Sequence, residues 1–148
     1  MKRCLTYLFL MVWVMPLQSQ SVEGKWITYD IFDSSVEEAV VEIRVDEGLL
    51  YMRIDSIIPE EHRKDRCQRC AGDLKDQPIL GMEILSGAKL EDGVWKGAKI
   101  LNAKNGHWYG CHIWTTGGNQ LKVRGFIGYP LFGKNLYWTR LDPKPHPH

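Results

Sequence analysis

The chain has 148 residues, 25% of them charged, with 19 Lys and Arg against 18 Asp and Glu and a formal charge of +1. Residues 1–20 carry Lys2 and Arg3 and no acid, so without them 17 bases (19 less two) face 18 acids, a charge of about −1. That balance excludes a basic nucleic-acid footprint and a polybasic membrane surface, and the remaining ~128 residues suit one domain with its own core.

In chain order, residues 1–20 read as a signal peptide. Lys2 and Arg3 precede an apolar run over 5–17 that is short for a bilayer span, and Ser19 and Ser21 supply small residues for cleavage. Cys4 lies before the apolar run, so it is not placed for lipoprotein acylation. Later segments are too short or too polar to be an integral membrane span of the mature chain. The expectation is export, to the periplasm or beyond it, and an oxidising compartment.

Eight strands follow, at 24–32, 37–46, 48–56, 79–87, 94–102, 107–115, 119–127 and 134–141. The signal is period-two alternation: Val41, Ile43 and Val45 alternate with Glu42 and Arg44, and Leu50, Met52 and Ile54 with Tyr51, Arg53 and Asp55. Asp46-Glu47-Gly48, Glu91-Asp92-Gly93, Asn105-Gly106 and Gly117-Gly118-Asn119 are hairpin chemistry. Residues 59–66 suit one helical turn. Residues 142–148 alternate Pro with Lys or His and read as a disordered tail, leaving 21–141 as the domain. The fold class is all-β: an eight-stranded antiparallel up-and-down barrel, closed so that no strand edge is left over.

This order puts the loops 33–36, 57–78, 103–106 and 128–133 at one end, the mouth. Only 57–78 is long, and long loops in compact domains often cover sites. Trp26 and Arg140 fall at the other end.

The Gly24-Lys25-Trp26 opening and the Arg140 close resemble the structural signature of lipocalin-like (calycin) barrels. There the Arg lies across the Trp face and seals one end, so the resemblance gives Gly24, Trp26 and Arg140 structural roles and implies a cavity. Further segments run in order: Cys67-Gln68-Arg69-Cys70-Ala71-Gly72, Lys75 to Leu85, Trp95-Lys96-Gly97, Asn105-Gly106, Tyr109-Gly110-Cys111, Lys122 to Gly128 and Trp138-Thr139-Arg140. Together they resemble a bacterial family of small exported proteins, numbered 2147 among the domains of unknown function. The resemblance implies a lipocalin-like barrel and bacterial export, and brings no activity and no catalytic residues. That family commonly has Asp-Pro before the Asn-Gly turn. Here Asn102-Ala103-Lys104 departs from it, so no role for a mouth acid is carried over.

Cys67-x-x-Cys70 admits three readings: a disulfide stiffening the mouth loop, a zinc site completed by Cys111 or by His62, His107 or His112, and a redox pair. Zinc wants about four ligands and no second Cys-x-x-Cys exists; redox chemistry wants a strand-to-helix setting. The disulfide is the expectation, with no metal and no cofactor. Cys111 reads as a small buried hydrophobe. Arg124, opposite in face to Val123, reads as outward. Asp30 shares a face with Trp26 and reads as either a hydrogen-bond hub or a ligand contact. The sequence contains no Gly-x-Ser-x-Gly, His-Glu-x-x-His, phosphate loop or dinucleotide loop, and no catalytic residue is expected.

The expected inner face comprises Val41, Ile43, Leu50, Met52, Ile54, Met82, Ile84, Leu121 and Val123. The cavity candidates are Asp30, Met52, Met82, Tyr109, Val123 and Trp108. The expected activity is binding of a small apolar or amphipathic molecule by burial, without chemical conversion. The alternatives are a filled barrel acting as an envelope interaction module, or a metal or thiol site on the Cys67–Cys70 loop.

Overall fold

A computed structural model describes residues 21–117 and 119–141. The expected signal segment, Gly118 and the expected tail lie outside these described residues. Nine strands form: β1 (Gly24–Tyr29), β2 (Glu37–Asp46), β3 (Leu49–Ile57), β4 (Glu83–Glu91), β5 (Val94–Lys96), β6 (Lys99–Asn102), β7 (His107–Thr115), β8 (Gln120–Phe126) and β9 (Lys134–Arg140). β5 and β6 are two pieces of one stave, interrupted at Gly97-Ala98; both pair with β4 on one side and β7 on the other. Each stave pairs antiparallel with its sequence neighbour, and β1 pairs with β9, so the eight staves close a circuit.

Local chemistry sets this meander. The β2–β3 hairpin turns on Glu47 and Gly48, with φ of 48° and 76°, and the β4–β5 hairpin on Asp92 and Gly93, with φ of 49° and 77°. Two central residues in the left-handed region match the twist of the strands they join. Single 3-10 turns occur at Glu60–His62, where one turn was expected after Pro59, at Gly72–Leu74 and at Pro130–Phe132.

Two strands depart from the sequence expectation by three residues or more. β1 stops at Tyr29 instead of 32, because the Asp30 Oδ1 accepts hydrogen bonds from the Phe32 and Asp33 N–H groups at 2.8 and 3.0 Å and turns the chain. The fourth stave runs over Glu83–Glu91 instead of 79–87. The Met82 N–H bonds the Ile79 carbonyl at 3.1 Å, so residues 79–82 form a turn and Leu80 is exposed. A bulge at Gly87 follows, since Tyr51 pairs with Ser86 and Leu50 with Ala88.

The half of the barrel away from the mouth is packed solid. Trp26, Ile43, Leu50, Met52, Leu85, Ile113 and Leu121 are fully buried there. Each such side chain stabilises the fold by roughly 1.5–3 kcal/mol through removal from water. Among the described residues no helix is long and apolar enough to cross a membrane.

Candidate functional site at the barrel mouth

The base of the barrel is plugged. The Arg140 guanidinium carbon stands 4.2 Å over the centroid of the Trp26 ring. Its Nη1 and Nη2 donate to the carbonyls of Glu23 and Ser21 at 2.8 and 2.6 Å. The Trp26 Nε1 donates to the Val22 carbonyl at 2.8 Å, and Val22 is itself buried. Gly24 leaves room for this, since a Cβ there would sit 3.0 Å from Arg140 Nη1. Trp26 and Arg140 are register partners, which fixes the stacking.

Above the plug lies a cavity of about 1060 Å³ that opens at the mouth. This is at the upper end of the ~300–1,000 Å³ usual for small-molecule sites. Its apolar wall includes Val41, Ile54, Ile84, Val123, Leu136 and Trp138. Polar groups also reach it. The Thr28 hydroxyl donates to the Ala39 carbonyl at 3.3 Å, and the Tyr109 hydroxyl accepts from Asn105 Nδ2 at 2.9 Å. The Tyr109 proton is therefore free to point at a bound acceptor.

An ion cluster spans the mouth. The Lys104 ammonium, in the β6–β7 turn, bonds the Glu38 carboxylate on β2 and lies 3.7 Å from Asp30 Oδ2 beyond β1. The Phe32 and Asp33 N–H groups hold the Asp30 carboxyl below its ordinary value, and Lys104 adds to the effect. Lys104 joins two sides of the opening.

The long loop between β3 and β4 covers another part of the mouth. Cys67 and Cys70 form a disulfide, with Cα atoms 5.3 Å apart, as expected. Both sulfurs are buried in the same apolar cluster as Leu101 and Leu74. The loop doubles back on itself: Cys67 N–H bonds Gln77 O, Asp76 N–H bonds Cys67 O and Ile79 N–H bonds Asp65 O, at 2.8 to 3.0 Å. Lys64, Arg66 and Arg69 from this loop stand around the cavity opening.

Of the six cavity candidates, the fold brings Asp30, Tyr109 and Val123 to the cavity wall. Met52 and Met82 do not line it. Met52 is buried in the packed half, in register with Ile43 and Leu85, and Met82 is buried at the end of the β3–β4 loop. Trp108 is also a correction: it is 46% exposed and does not line the cavity. Within the expected inner face, Val41, Ile54, Ile84 and Val123 reach the cavity, while Ile43, Leu50 and Leu121 fill the base. Leu136 and Trp138 were missed, although they alternate with Tyr137 and share the parity of Arg140.

Three other residues find plain roles. Cys111 is buried and free, its thiol 3.7 Å from the Ala98 carbonyl, and burial pushes it up to about 12. Arg124 holds the β8–β9 loop, donating to the Pro130 and Leu131 carbonyls at 2.7 and 3.1 Å and to Asn135 Oδ1 at 2.8 Å. His62 Nδ1 lies 2.9 Å from Asp65 Oδ2. Among the described residues no three His, Cys, Asp or Glu side chains are grouped to hold a metal ion.

A plugged, eight-staved antiparallel barrel with an open cavity at one end is a lipocalin-like fold. Residues 24–140 match the family described as "Uncharacterized protein conserved in bacteria (DUF2147)", and the chain belongs to that family. The fold is similar to that of protein HP1028 from Helicobacter pylori, described as belonging to the lipocalin family. The TM-score is 0.71 at 19% identity, over 82% of this chain and 84% of that one. No curated protein matches the chain.

Proposed function

We propose that this chain is an exported binding protein that holds one small molecule with an apolar body in the barrel cavity, without converting it. The observation that carries this reading is the cavity itself: about 1060 Å³ above a solid base, with an apolar wall and a few polar groups at the mouth. Burial of an alkyl chain there contributes roughly 0.8 kcal/mol per methylene. The Tyr109 hydroxyl would orient a polar end. The cavity also favours a binding role over a barrel filled by its own side chains. Export is supported by the segment 1–20, by the family's bacterial distribution and by the Cys67–Cys70 disulfide, which persists in oxidising compartments.

The test is native mass spectrometry of the protein purified from its own envelope, repeated under denaturing conditions. A discrete added mass, lost on denaturation and lost in Val123→Phe and Leu136→Trp variants that fill the cavity, is the expected result. A bare mass, with no ligand recovered by soaking in an organic extract of the envelope, rejects the reading.

A further inference from the structure

Among the described residues the most exposed large apolar side chains are not scattered. Ile127 is 75% exposed, Tyr129 75%, Leu131 79% and Phe132 79%, all on the β8–β9 loop, and Phe32 on the β1–β2 loop is 88% exposed. The two loops adjoin at the mouth. Lys134 Nζ bonds the Ile31 carbonyl and stands 5.2 Å from the centroid of the Phe32 ring. Single exposed apolar residues need no explanation, but a contiguous patch of this kind marks an interaction surface.

The charges around the patch say what it faces. Residues 127–133 carry no charge, and the cations Arg124 and Lys134 flank them. The acids beside Phe32 are already engaged: Asp33 accepts hydrogen bonds from Ser35 N–H and Oγ at 2.9 and 2.6 Å, and Asp30 accepts from the Phe32 and Asp33 N–H groups and lies 3.7 Å from Lys104 Nζ. An uncharged tip bearing Phe, Tyr, Leu and Ile, beside the Lys134 ammonium, complements a lipid bilayer with anionic headgroups. Arg124 ties the loop's carbonyls from within the fold, so the tip is held in shape.

The patch borders a groove in the barrel wall. β1 and β9 pair at Trp26–Arg140 and Ile27–Thr139, near the base. Towards the mouth a groove of about 240 Å³ lies between them, with Tyr29, Asp30, Ile31, Phe32, Lys134 and Leu136 in its lining. Tyr29, Ile31, Lys134 and Leu136 also line the cavity, so groove and cavity share a wall.

We propose that the loops bearing Phe32 and Ile127–Phe132 dock this protein onto an anionic bilayer surface, with the β1–β9 seam turned towards the lipid. With a mature charge of about −1 there is little long-range attraction. Docking therefore rests on insertion of the apolar tips, with local help from Lys134, and changes little with salt. It does not depend on what the cavity holds.

The experiment is cosedimentation of the chain from residue 21 onward with vesicles of phosphatidylethanolamine and phosphatidylglycerol. The expected result is partition onto the vesicles that falls about tenfold or more in the Leu131→Ser, Phe132→Ser double variant. A second reading uses Leu131→Cys carrying an environment-sensitive fluorophore, since Cys111 is buried and Cys67 and Cys70 are bonded; its emission shifts to the blue on the vesicles. Wild-type protein left in the supernatant overturns the proposal, as does a double variant that binds equally well. A concentration-dependent dimer lost in the double variant, with no vesicle binding, assigns the patch to a second copy instead and also overturns it.

Discussion

Gly106 lies hard against the backbone of Arg69: a Cβ at Gly106 would fall 2.0 Å from the Arg69 carbonyl oxygen and 2.9 Å from the Cys70 nitrogen. Gly106 also has φ of 75°. The β6–β7 turn and the disulfide loop thus meet backbone to backbone, and the Cys67 sulfur rests 3.2 Å from the Ala103 carbonyl. Gly106→Ala should separate the two and cost about 1–3 kcal/mol, by strain and lost contact. Urea unfolding measures the cost, and faster proteolysis within 60–78 would locate it. Unchanged stability and protease resistance would refute the contact.

The base plug gives a second prediction. Arg140→Ala removes a cation–π contact and two charge-assisted hydrogen bonds and should cost about 2–4 kcal/mol, with Arg140→Lys intermediate. Trp26→Ala opens a void in the packed half and should cost about 3–5 kcal/mol. Since the two side chains touch, the double variant should cost less than the sum of the single losses.

The disulfide spans few residues, so its removal should be mild. Cys67→Ser with Cys70→Ser should lose about 2 kcal/mol by loop closure. The buried position of both sulfurs adds a desolvation cost for the new hydroxyls. Thermal unfolding of wild type with and without reductant reads the first part alone.

Asp30 supplies a pH dependence. Its folded value lies below the ordinary one, so its contribution is present above the unfolded value near ~3.9 and is lost as pH falls through the folded value. Asp30→Asn keeps an Oδ1 acceptor and loses the charge. The melting temperature of wild type should exceed that of the variant at neutral pH, and the gap should close below about pH 4. A gap that stays constant across this range would rule out the charge as its source.

Cys111 should be silent in the folded protein. Buried and pushed up to about 12, its thiol should resist iodoacetamide at mildly alkaline pH and react fully after denaturation. Labelling of intact protein followed by mass measurement decides this.

Period-two parity carried the fold a long way. Trp26 and Arg140, at opposite ends of the chain, meet because the up-and-down order makes the first and last strands neighbours. Val41, Ile54, Val123 and Tyr109 reach the cavity by the same alternation. Trp108 has the opposite parity to Tyr109, which lines the cavity, and so faces away from it. Met52 has the right parity, but alternation gives the face of a strand and not the height along the barrel. Lys64, Arg66, Arg69 and Lys104 carry no periodic signal at all. They come together only because the β3–β4 loop folds back through its own hydrogen bonds and rests on the β6–β7 turn. The start of β4 slipped because the apolar residues at 79–82 belong to a turn and not to a strand.

The Lys104 link between Glu38 and Asp30 bears on time more than on affinity. With the base plugged by Trp26 and Arg140, entry and exit share the mouth end of the barrel. Were the link to open for each passage and close again around either an empty or an occupied cavity, it would raise both rates' barriers by the same amount. Lys104→Ala should then quicken uptake and release together and leave their ratio where it was. The molecule would exchange its cargo faster and hold it no less tightly at equilibrium.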